Sequence, residues 1–471
     1  MSRPRALLWT AVAAYAAGFS ALSVLRHASF VTGRFDLGNM VQAVWATAHG
    51  HPLAVTDLQG EQISRLGAHF DPLLAAFAPL WWLWPSANML LVAQAVAIAL
   101  GAPAVFRLAG KHLGSERTAL AFALAYLLYP PVQWLTLDEF HAVALAAPLL
   151  LWAFWFLDEE RLLPFALLAG TACLTKEHVG LAVAGMGAWY ALAHGRRRDG
   201  IAIAGAGVAV AVLAVGVVIP HFAPHGVSPF EHRYDAVGGS AAGILKTLFT
   251  HPLRIVEAAT DWRDLAFVAM LLAPLLALPL GAPLAALAAL PELGLDLLSS
   301  TRTQTSIHFQ YTATIVPALV ASAVLGAARL RRAGLRVPAA AVVVAALAAN
   351  FALGAIPLWR AFPGGETLGS REAHVSAHDR VAARAVALVP SGAVVSATNS
   401  LGGHLSARRR ILSFPLVTGA SWIAVDKRHP SWFDVLGEPE PTLVALHRIR
   451  ADTAWRVVFE EDGVLVLRRR D

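Results

Sequence analysis

The chain has 471 residues, of which 57% are hydrophobic and 14% are charged, with a mean hydropathy of +0.58 and a formal net charge of +6. Soluble domains carry about 25% charged residues and about 45–50% apolar ones, so this composition excludes a soluble multidomain enzyme. The basic residues cluster beside apolar runs, as the orientation of membrane proteins requires, which argues against nucleic-acid binding. With Cys173 as the single cysteine, a disulfide within the chain and a cysteine-built metal site are also excluded.

Long apolar runs without charged side chains predict membrane spans, because about 20 apolar residues cross a hydrocarbon core of roughly 30 Å. We interpret the run after Arg3 and Arg5 as an uncleaved first span and not as a signal peptide. Short basic loops stay in the cytoplasm, so an even number of crossings must separate any two of them. This condition predicts eleven crossings, with a cytoplasmic N-terminus and an extracytoplasmic C-terminus. The predicted spans are about 6–25, 86–107, 118–132, 141–157, a hairpin within 162–194, 200–220, a hairpin within 263–298, 310–328 and 337–357.

The first outer loop, 26–85, is predicted to hold two helices that lie in the membrane interface. In 37–49 the apolar residues recur at intervals of three and four, which is typical of an amphipathic helix. The second segment, 72–84, contains three tryptophans, which favour the headgroup region. If it crossed the membrane, Lys111 would lie outside, so we predict that it does not cross.

The character of the chain changes at about residue 360. The segments Ala393–Ala397, Trp422–Asp426, Arg456–Phe459 and Val464–Arg468 have the pattern of strands, and 372–389 has the pattern of a helix. The sequence therefore predicts a transmembrane domain, 1–359, followed by a small extracytoplasmic α/β domain, 360–471.

Under this topology the clusters of ionisable residues all face outward. Such groups are costly at membrane depth and usually mark a pathway or a site, so we expect them to meet in one polar chamber. The clusters are Asp36, Arg65, His69 and Asp71 in the first outer loop, Asp138, Glu139 and His141 in the second, Lys176, Glu177 and His178 in the third, and Arg302 and His308 before the tenth span.

Several of these residues also have a purely structural interpretation. The sequence favours two roles equally for Asp36, the N-cap of helix 37–49 and a catalytic group. Asp71 precedes Pro72, and for this residue the sequence favours a helix cap. The segment 138–141 is equally compatible with solvated loop polarity, and His308 with an interfacial pair beside Tyr311. The triplet 176–178 lies at the turn of the predicted hairpin within 162–194, and both helices of that hairpin are short. The triplet should therefore lie near the bilayer, which favours a function.

Several motifs together resemble a bacterial family of predicted membrane proteins of unknown function. They are Arg34-Phe-Asp-Leu-Gly-Asn39, Gly67-Ala-His-Phe-Asp-Pro72, Asp138-Glu-Phe-His141, Lys176-Glu-His178, Asn399-Ser-Leu-Gly-Gly-His-Leu-Ser-Ala-Arg408 and the terminal Asp462-Gly-Val-Leu-Val-Leu467. The wider layout is similar to the GT-C glycosyltransferases, which take sugar from a polyprenyl-phosphate carrier at the outer membrane face. That resemblance implies a GT-C-like polytopic helical fold in the bacterial cytoplasmic membrane. It also implies that Asp36 is the catalytic carboxylate, although many GT-C members carry a second adjacent acid where this chain has Leu37.

From the resemblance and the chemistry of sugar transfer we assign expected roles. Asp36 is the expected catalytic base, and an unknown glycan, lipid or protein is the acceptor. The expected phosphate and donor ligands are Arg65, Lys176, His178, Arg302 and His308. The residues expected to orient the acceptor are Asn39, His69, Asp138, Glu139, His141 and Glu177. A divalent cation is possible on Asp36, Asp138, Glu139 and Glu177, since hard cations prefer oxygen ligands.

Two other functional classes stay open at this point. The same ionisable groups would suit a proton relay in a transporter or flippase of a lipid-linked or small polar solute. The chain shows no repeat symmetry of the kind that transporters often have. The third class is a non-catalytic envelope assembly factor.

Overall fold

The structure is a computed structural model that describes residues 2–223, 231–356, 374–435 and 442–470. The predicted domain boundary at 359/360 lies outside the described residues. Over this part the chain is mostly helical, with a mixed sheet near its C-terminal end. The α-helices are Arg3–Ala28, Asn39–Ala48, Ala78–Leu83, Ala87–Ala99, Ala102–Leu113, Glu116–Leu128, Pro130–Leu137, Ala146–Asp158, Leu162–Cys173, Val179–Ala193, Arg197–Leu213, Ile219–Phe222, Ala241–Thr250, Pro252–Ala258, Trp262–Leu272, Pro283–Ala286, Leu290–Leu298, Ile315–Arg332, Ala339–Leu353, Ala377–Ala387, Asn399–Leu405, Trp432–Val435 and Thr442–Ala451.

Within the described residues, three helices are long and apolar enough to cross a membrane, namely Arg3–Ala28, Ala87–Leu113 and Arg197–Phe222. A fourth candidate is the pair Glu116–Leu128 and Pro130–Leu137, which bends by 46° at its break, where a proline begins the second helix. The shorter apolar helices are Pro72–Leu83, Ala142–Asp158, Leu162–Cys173, Val179–Ala193 and Ala339–Leu353. A multi-pass helical protein is thus confirmed in outline, and the count of eleven crossings stays a prediction.

The predicted second arm of the hairpin 263–298 is not one continuous helix. After Trp262–Leu272 the chain makes two 3₁₀ turns, Ala273–Leu275 and Leu278–Gly281, and the short helices Pro283–Ala286 and Leu290–Leu298 follow. Prolines at the start of these pieces remove backbone donors and favour breaks in the helix.

Basic loops from distant parts of the chain meet at one end of the bundle. Lys111 Nζ lies 2.8 Å from Asp158 Oδ2, and Arg5 Nη2 lies 2.8 Å from Glu116 Oε1. Arg196 pairs with Glu160, and Arg331 donates to the backbone carbonyl of Leu113. These are the loops that the charge pattern predicts to share one side of the membrane, and the side itself stays a prediction.

The segments predicted to be outer loops, here called the outer-loop segments, meet at the other end of the bundle, where the side chain of Gln94 bonds the turn that carries Glu139. Gln94 and Lys111 lie in the same 27-residue candidate span. At 1.5 Å per residue, the 17 positions between them correspond to about 26 Å. The two polar ends are therefore separated by approximately the thickness of a hydrocarbon core.

Each of the two predicted interfacial segments of the first outer loop begins with a turn that is not α-helical. A π-helical turn, Arg34–Gly38, precedes the helix Asn39–Ala48, and Asp36 lies inside this turn. The prediction that Asp36 caps the helix is therefore wrong. The second segment consists of a 3₁₀ helix, Pro72–Phe77, followed by Ala78–Leu83.

Asp71 occupies the N-cap position of this 3₁₀ helix without making a capping bond. The prediction that it is a cap is wrong because its carboxylate pairs with Arg65 Nε at 2.9 Å. Between the two interfacial segments the chain forms a small antiparallel hairpin, β1 (Ala54–Thr56) and β2 (Gln62–Ser64).

In the part of the C-terminal domain that the structure describes, the sheet has five strands in the order β4-β3-β5-β7-β6. They are β3 (Val395–Ala397), β4 (Ile411–Ser413), β5 (Trp422–Asp426), β6 (Trp455–Glu461) and β7 (Val464–Arg469). Strand β3 is parallel to β4 and β5, whereas β7 is antiparallel to β5 and β6. The predicted strands and the predicted helix, found as Ala377–Ala387, are confirmed.

Candidate functional site

The outer-loop segments enclose a cavity of about 770 Å³. This volume is typical of a small-molecule binding site. Six of the residues predicted for the site line it, namely Asp36, Asn39, Arg65, His69, His141 and Lys176. Other charged or aromatic residues in the lining are Arg34, Phe35, Asp57, Glu61, Asp71, Arg233 and Tyr311.

Asp36 and His141 form the central pair of this cavity. His141 Nε2 donates to Asp36 Oδ1 at 3.2 Å, and His141 Nδ1 lies 2.8 Å from the backbone carbonyl of Asp138. The ring is buried, while a third of the Asp36 side chain is exposed toward the cavity. His141 thus holds one carboxylate oxygen of Asp36 and leaves the other available to a bound molecule.

The electrostatics of this pair favour a charged aspartate and a charged imidazole. Burial alone would raise the pKa of the Asp36 carboxyl, but the hydrogen bond and charge of His141, with Arg65 and Lys176, hold it below its usual range. Burial would lower the pKa of His141, which precedes the helix Ala142–Asp158, but the carboxylates of Asp36 and Asp138 raise it to about 9. At neutral pH Asp36 is therefore ionised and available to accept a proton.

Glu139 holds the turn that carries Asp36. Its Oε1 accepts from Gly33 N at 2.9 Å and its Oε2 accepts from Leu37 N at 2.7 Å, so one carboxylate spans the π-helical turn. Its backbone has a φ of 51°, in the left-handed region that non-glycine residues adopt only at an energetic cost. Burial and the nearby Asp36 carboxylate raise the pKa of Glu139 to about 8, against the Leu37 N–H group and the charge of His141, which favour its ionised form.

Gln94 fixes the turn 138–141 from the neighbouring helix. Its side-chain amide donates to the backbone carbonyl of Glu139 at 2.7 Å, and its Oε1 accepts from His141 N at 3.0 Å. The same amide also contacts the carbonyls of Leu135 and Thr136. Glu139 and His141 therefore have their backbones held by one fully buried side chain.

Arg65 is a buried cation on the cavity wall. Its Nε and Nη2 lie 2.9 and 2.8 Å from Asp71 Oδ2, and its Nη1 donates to Asn39 Oδ1 at 2.8 Å. These contacts fix the guanidinium plane and leave part of its donor capacity, since a guanidinium has five N–H groups.

Lys176 contributes a second cation to the cavity. Its Nζ lies 5.8 Å from the centre of the Tyr311 ring. Among residues 2–223, 231–356, 374–435 and 442–470, no carboxylate oxygen lies within 4 Å of it. Its charge is therefore available to an anion in the cavity.

The two residues after Lys176 have other roles in the structure. Glu177 accepts from His69 Nδ1 at 3.1 Å and from Phe70 N at 3.0 Å, which links the third outer segment to the first. His178 Nε2 lies 3.0 Å from Glu292 Oε2, away from the cavity lining.

Arg302, His308 and Asp138 do not line the cavity. Arg302 is exposed, and the His308 ring packs against Trp134 at a centroid distance of 4.6 Å. Asp138 Oδ2 accepts from Gln310 N at 2.7 Å, and burial raises its pKa to about 6. Asp138 thus connects the second outer segment to the segment that provides Tyr311.

The four carboxylates proposed as cation ligands are held apart by these contacts. Glu139 and Glu177 each use both oxygens on backbone or histidine donors. Over the described ranges, the four do not bring three ligand atoms within 4.8 Å of one another. The donor arrangement around Asp36 therefore does not fit a preformed divalent-cation site.

The C-terminal domain packs directly on the turn that carries Asp36. Asn399 Oδ1 accepts from Phe35 N at 2.9 Å, and Arg34 Nη2 donates to the carbonyl of Ile411 at 3.0 Å. A Cβ at Gly33 would overlap the Asn399 side chain, so glycine permits this close approach. The C-terminal sheet domain thus helps to support the candidate site.

Sequence reasoning missed three residues that the tertiary structure brings to the site. Gln94 supports Glu139, Asn399 supports Phe35, and Arg233 lines the cavity. The available signal for Gln94 was its position as an amide in the middle of an apolar run, since polar groups at membrane depth usually have a function or a partner. For Asn399 the sequence gives no sign of contact with a segment 364 residues away.

Comparison with known protein families identifies the family to which the chain belongs. A family model described as a predicted membrane protein, DUF2079, matches residues 26–466. No curated protein matches the chain. The chain belongs to this family of membrane proteins, whose function is unknown.

Proposed function

We propose that this DUF2079 member is a membrane glycosyltransferase that transfers a sugar from a polyprenyl-phosphate donor to an acceptor on the outer face of the membrane. The observation that carries the proposal is the position of Asp36, whose carboxylate faces a cavity of about 770 Å³ that is also lined by the cations Arg65 and Lys176. A base and two anion-binding groups around one volume are what sugar transfer from a lipid phosphate requires.

Each of these residues has a defined role in the proposed reaction. Asp36 accepts the proton of the acceptor hydroxyl as its oxygen attacks the anomeric carbon of the sugar. The bond between that carbon and the phosphate oxygen breaks, and polyprenyl phosphate leaves with the electron pair. Lys176 and Arg65 stabilise the negative charge that develops on the phosphate.

The imidazolium of His141 orients Asp36 through the bond at 3.2 Å. Glu139 and Asn399 hold the backbone on either side of Asp36 by accepting from Gly33, Leu37 and Phe35. Because the base must be placed to within a fraction of an ångström, a turn held from two domains suits catalysis.

A lipid donor also requires access from the bilayer. The interfacial segment Pro72–Leu83 ends in exposed apolar residues, with Trp82 and Leu83 among the most exposed large side chains. Leu74 and Phe77 of the same segment are buried in the apolar cluster that also contains Met40 of the helix after Asp36. The cavity wall is therefore continuous with a surface that fits the headgroup region.

The test is a transfer assay with the purified full-length chain in liposomes that contain polyprenyl phosphates carrying different hexoses and pentoses. Release of polyprenyl phosphate, with water or an added membrane extract as acceptor, is measured by mass spectrometry. We expect release from at least one donor, and a loss of about 10²–10⁴-fold in Asp36→Asn. Asp199→Asn, an exposed carboxylate near the basic end, is the matched control.

Other outcomes would support the alternatives. Movement of the donor between leaflets that depends on a proton gradient, without any product, would indicate a transporter or flippase. Absence of product together with normal growth of cells carrying combined substitutions at Asp36, Glu139 and Lys176 would indicate an assembly factor. Full activity of Asp36→Asn would remove this residue from the mechanism.

A further inference from the structure

A second cluster of chemically active side chains lies in the C-terminal domain, where the proposed sugar transfer does not use it. His378 is near the start of the helix Ala377–Ala387, Asp426 ends β5, and His429 follows three residues later. Asp462 lies in the turn between β6 and β7. Because Asp426 is paired with Val464 in the sheet, this turn lies beside the end of β5.

The distances within the cluster suit a metal ion. His378 Nε2 lies 2.9 Å from Asp426 Oδ2, and His429 Nδ1 lies 3.9 Å from the same oxygen. The three ligand atoms all lie within 4.8 Å of one another. Ligand atoms that lie about 2.1 Å from a tetrahedral zinc ion are about 3.4 Å from one another. The observed distances of 2.9 and 3.9 Å are one shorter and one longer than this spacing.

The surroundings of His378 provide a second, independent argument. Its Nδ1 donates to Asp462 Oδ2 at 3.0 Å, while its Nε2 faces Asp426. Both ring nitrogens thus face carboxylate oxygens, and Nε2 and Asp426 Oδ2 converge on the position that the metal ion would occupy.

Metal-bound histidines usually donate their other ring N–H to a carboxylate, and Asp462 is placed to accept it. The carboxylate of Asp426 is also held in position, because its Oδ1 accepts from Arg428 N at 2.8 Å and from His429 N at 3.2 Å. Its Oδ2 is the oxygen directed toward the two histidines.

We propose that His378, Asp426 and His429 bind one zinc ion through two nitrogens and one oxygen, with water as a fourth ligand. His378 and Asp426 are buried and His429 is half-buried, which leaves one side open to solvent. The ion ties the start of a helix to the end of β5, and Asp462 is a positioning residue for His378. This site is independent of the proposed glycosyltransferase activity.

The experiment uses the purified full-length chain, treated with a chelator and titrated with Zn²⁺ and with Co²⁺. We expect one tightly bound zinc per chain by elemental analysis, and a visible ligand-field spectrum typical of tetrahedral Co²⁺. His429→Gln should lose the bound ion, and Asp462→Asn should weaken binding by about 10–100-fold. His447→Gln, an exposed histidine in the same domain, should bind as the wild type does.

Two further measurements keep the result decisive. Zinc should raise the melting temperature of the wild type and of His447→Gln but not that of His429→Gln. Without zinc, His429→Gln should melt at the same temperature as the zinc-free wild type, which shows that the lost ion is not a consequence of unfolding. Asp36→Asn should keep its zinc. The proposal is overturned if the wild type binds no zinc, if His429→Gln keeps the ion, or if Asp36→Asn loses it.

Discussion

Asp36 and Asp158 are buried or half-buried aspartates that face histidines at opposite ends of the bundle. Asp158 is 2% exposed in its side chain and has three basic partners within reach, Lys111 at 2.8 Å, His112 at 2.9 Å and His194 at 3.5 Å. Asp36 is 33% exposed in its side chain, has His141 at 3.2 Å, and faces the cavity. The first carboxylate is enclosed by its partners, and the second has a side left open.

This difference distinguishes a structural ion cluster from a candidate site. Buried charges in folded proteins are usually satisfied by partners, as Asp158 is. A charged group that is held on one side and open to a cavity on the other is a candidate for chemistry. The lysines at the two ends differ in the same way as the aspartates. Lys111 contacts two carboxylates, whereas Lys176 faces the cavity.

The largest expected difference between the two ends is seen by substituting each aspartate with asparagine. Asp36→Asn should lower the transfer rate per folded molecule by about 10²–10⁴-fold, and its melting temperature should fall only by what the lost bond to His141 contributes. Asp158→Asn should lower the free energy of unfolding by about 1–3 kcal/mol, because three basic side chains lose their buried, charged acceptor, and should keep the rate per folded molecule. The measurements are the transfer assay and thermal unfolding in detergent, and equal effects of the two substitutions would remove the distinction.

The two lysines should differ in the same direction by a smaller amount. Lys176→Gln should lower kcat by about 10²-fold, since a cation at the leaving phosphate acts mainly in the transition state. Lys176→Arg should restore part of the rate, and Lys111→Gln should lower the melting temperature and leave kcat unchanged. Steady-state kinetics on the three variants test this, and a rise in KM alone for Lys176→Gln would assign Lys176 to donor binding only.

The smallest expected effect is a pH dependence that His141 introduces at the cavity end. Its pKa in the folded chain, about 9, lies above the usual value of 6.5. The stabilisation from its charge is therefore fully present below about pH 6.5 and is lost as the pH rises through about 9. The melting temperature of His141→Gln should lie below that of the wild type near neutral pH, and the gap should close above about pH 9. A gap of constant size from pH 6 to 10 would contradict this origin.

Much of the candidate site follows from the charge pattern of the sequence. The basic loops restrict which segments share a side of the membrane, and this places Asp36, His141 and Lys176 together before any contact is known. Their placement on one cavity was therefore predictable. The C-terminal strands were equally accessible, because alternating apolar residues and a tight Asp-Gly turn mark them locally.

The contacts of residues that neighbour the cavity residues in the sequence could not be predicted from the charge pattern. Glu177 and His178 are adjacent to Lys176, yet one bonds His69 and the other pairs with Glu292. Asp71 has the sequence context of a cap and instead pairs with Arg65. The direction of a side chain depends on which segment packs against it, and a linear sequence does not contain that information.

Composition and charge placement by themselves determined that this is a multi-pass membrane protein, and they predicted that its polar residues gather on one side. These properties are set by transfer free energies of single segments, so each can be evaluated locally. Only the tertiary structure decided which polar residues line the cavity, that Glu139 and Asn399 hold the turn around Asp36, and that His378 meets Asp426. Hydrogen bonds act over about 3 Å, so contacts between segments hundreds of residues apart exist only once the chain has folded.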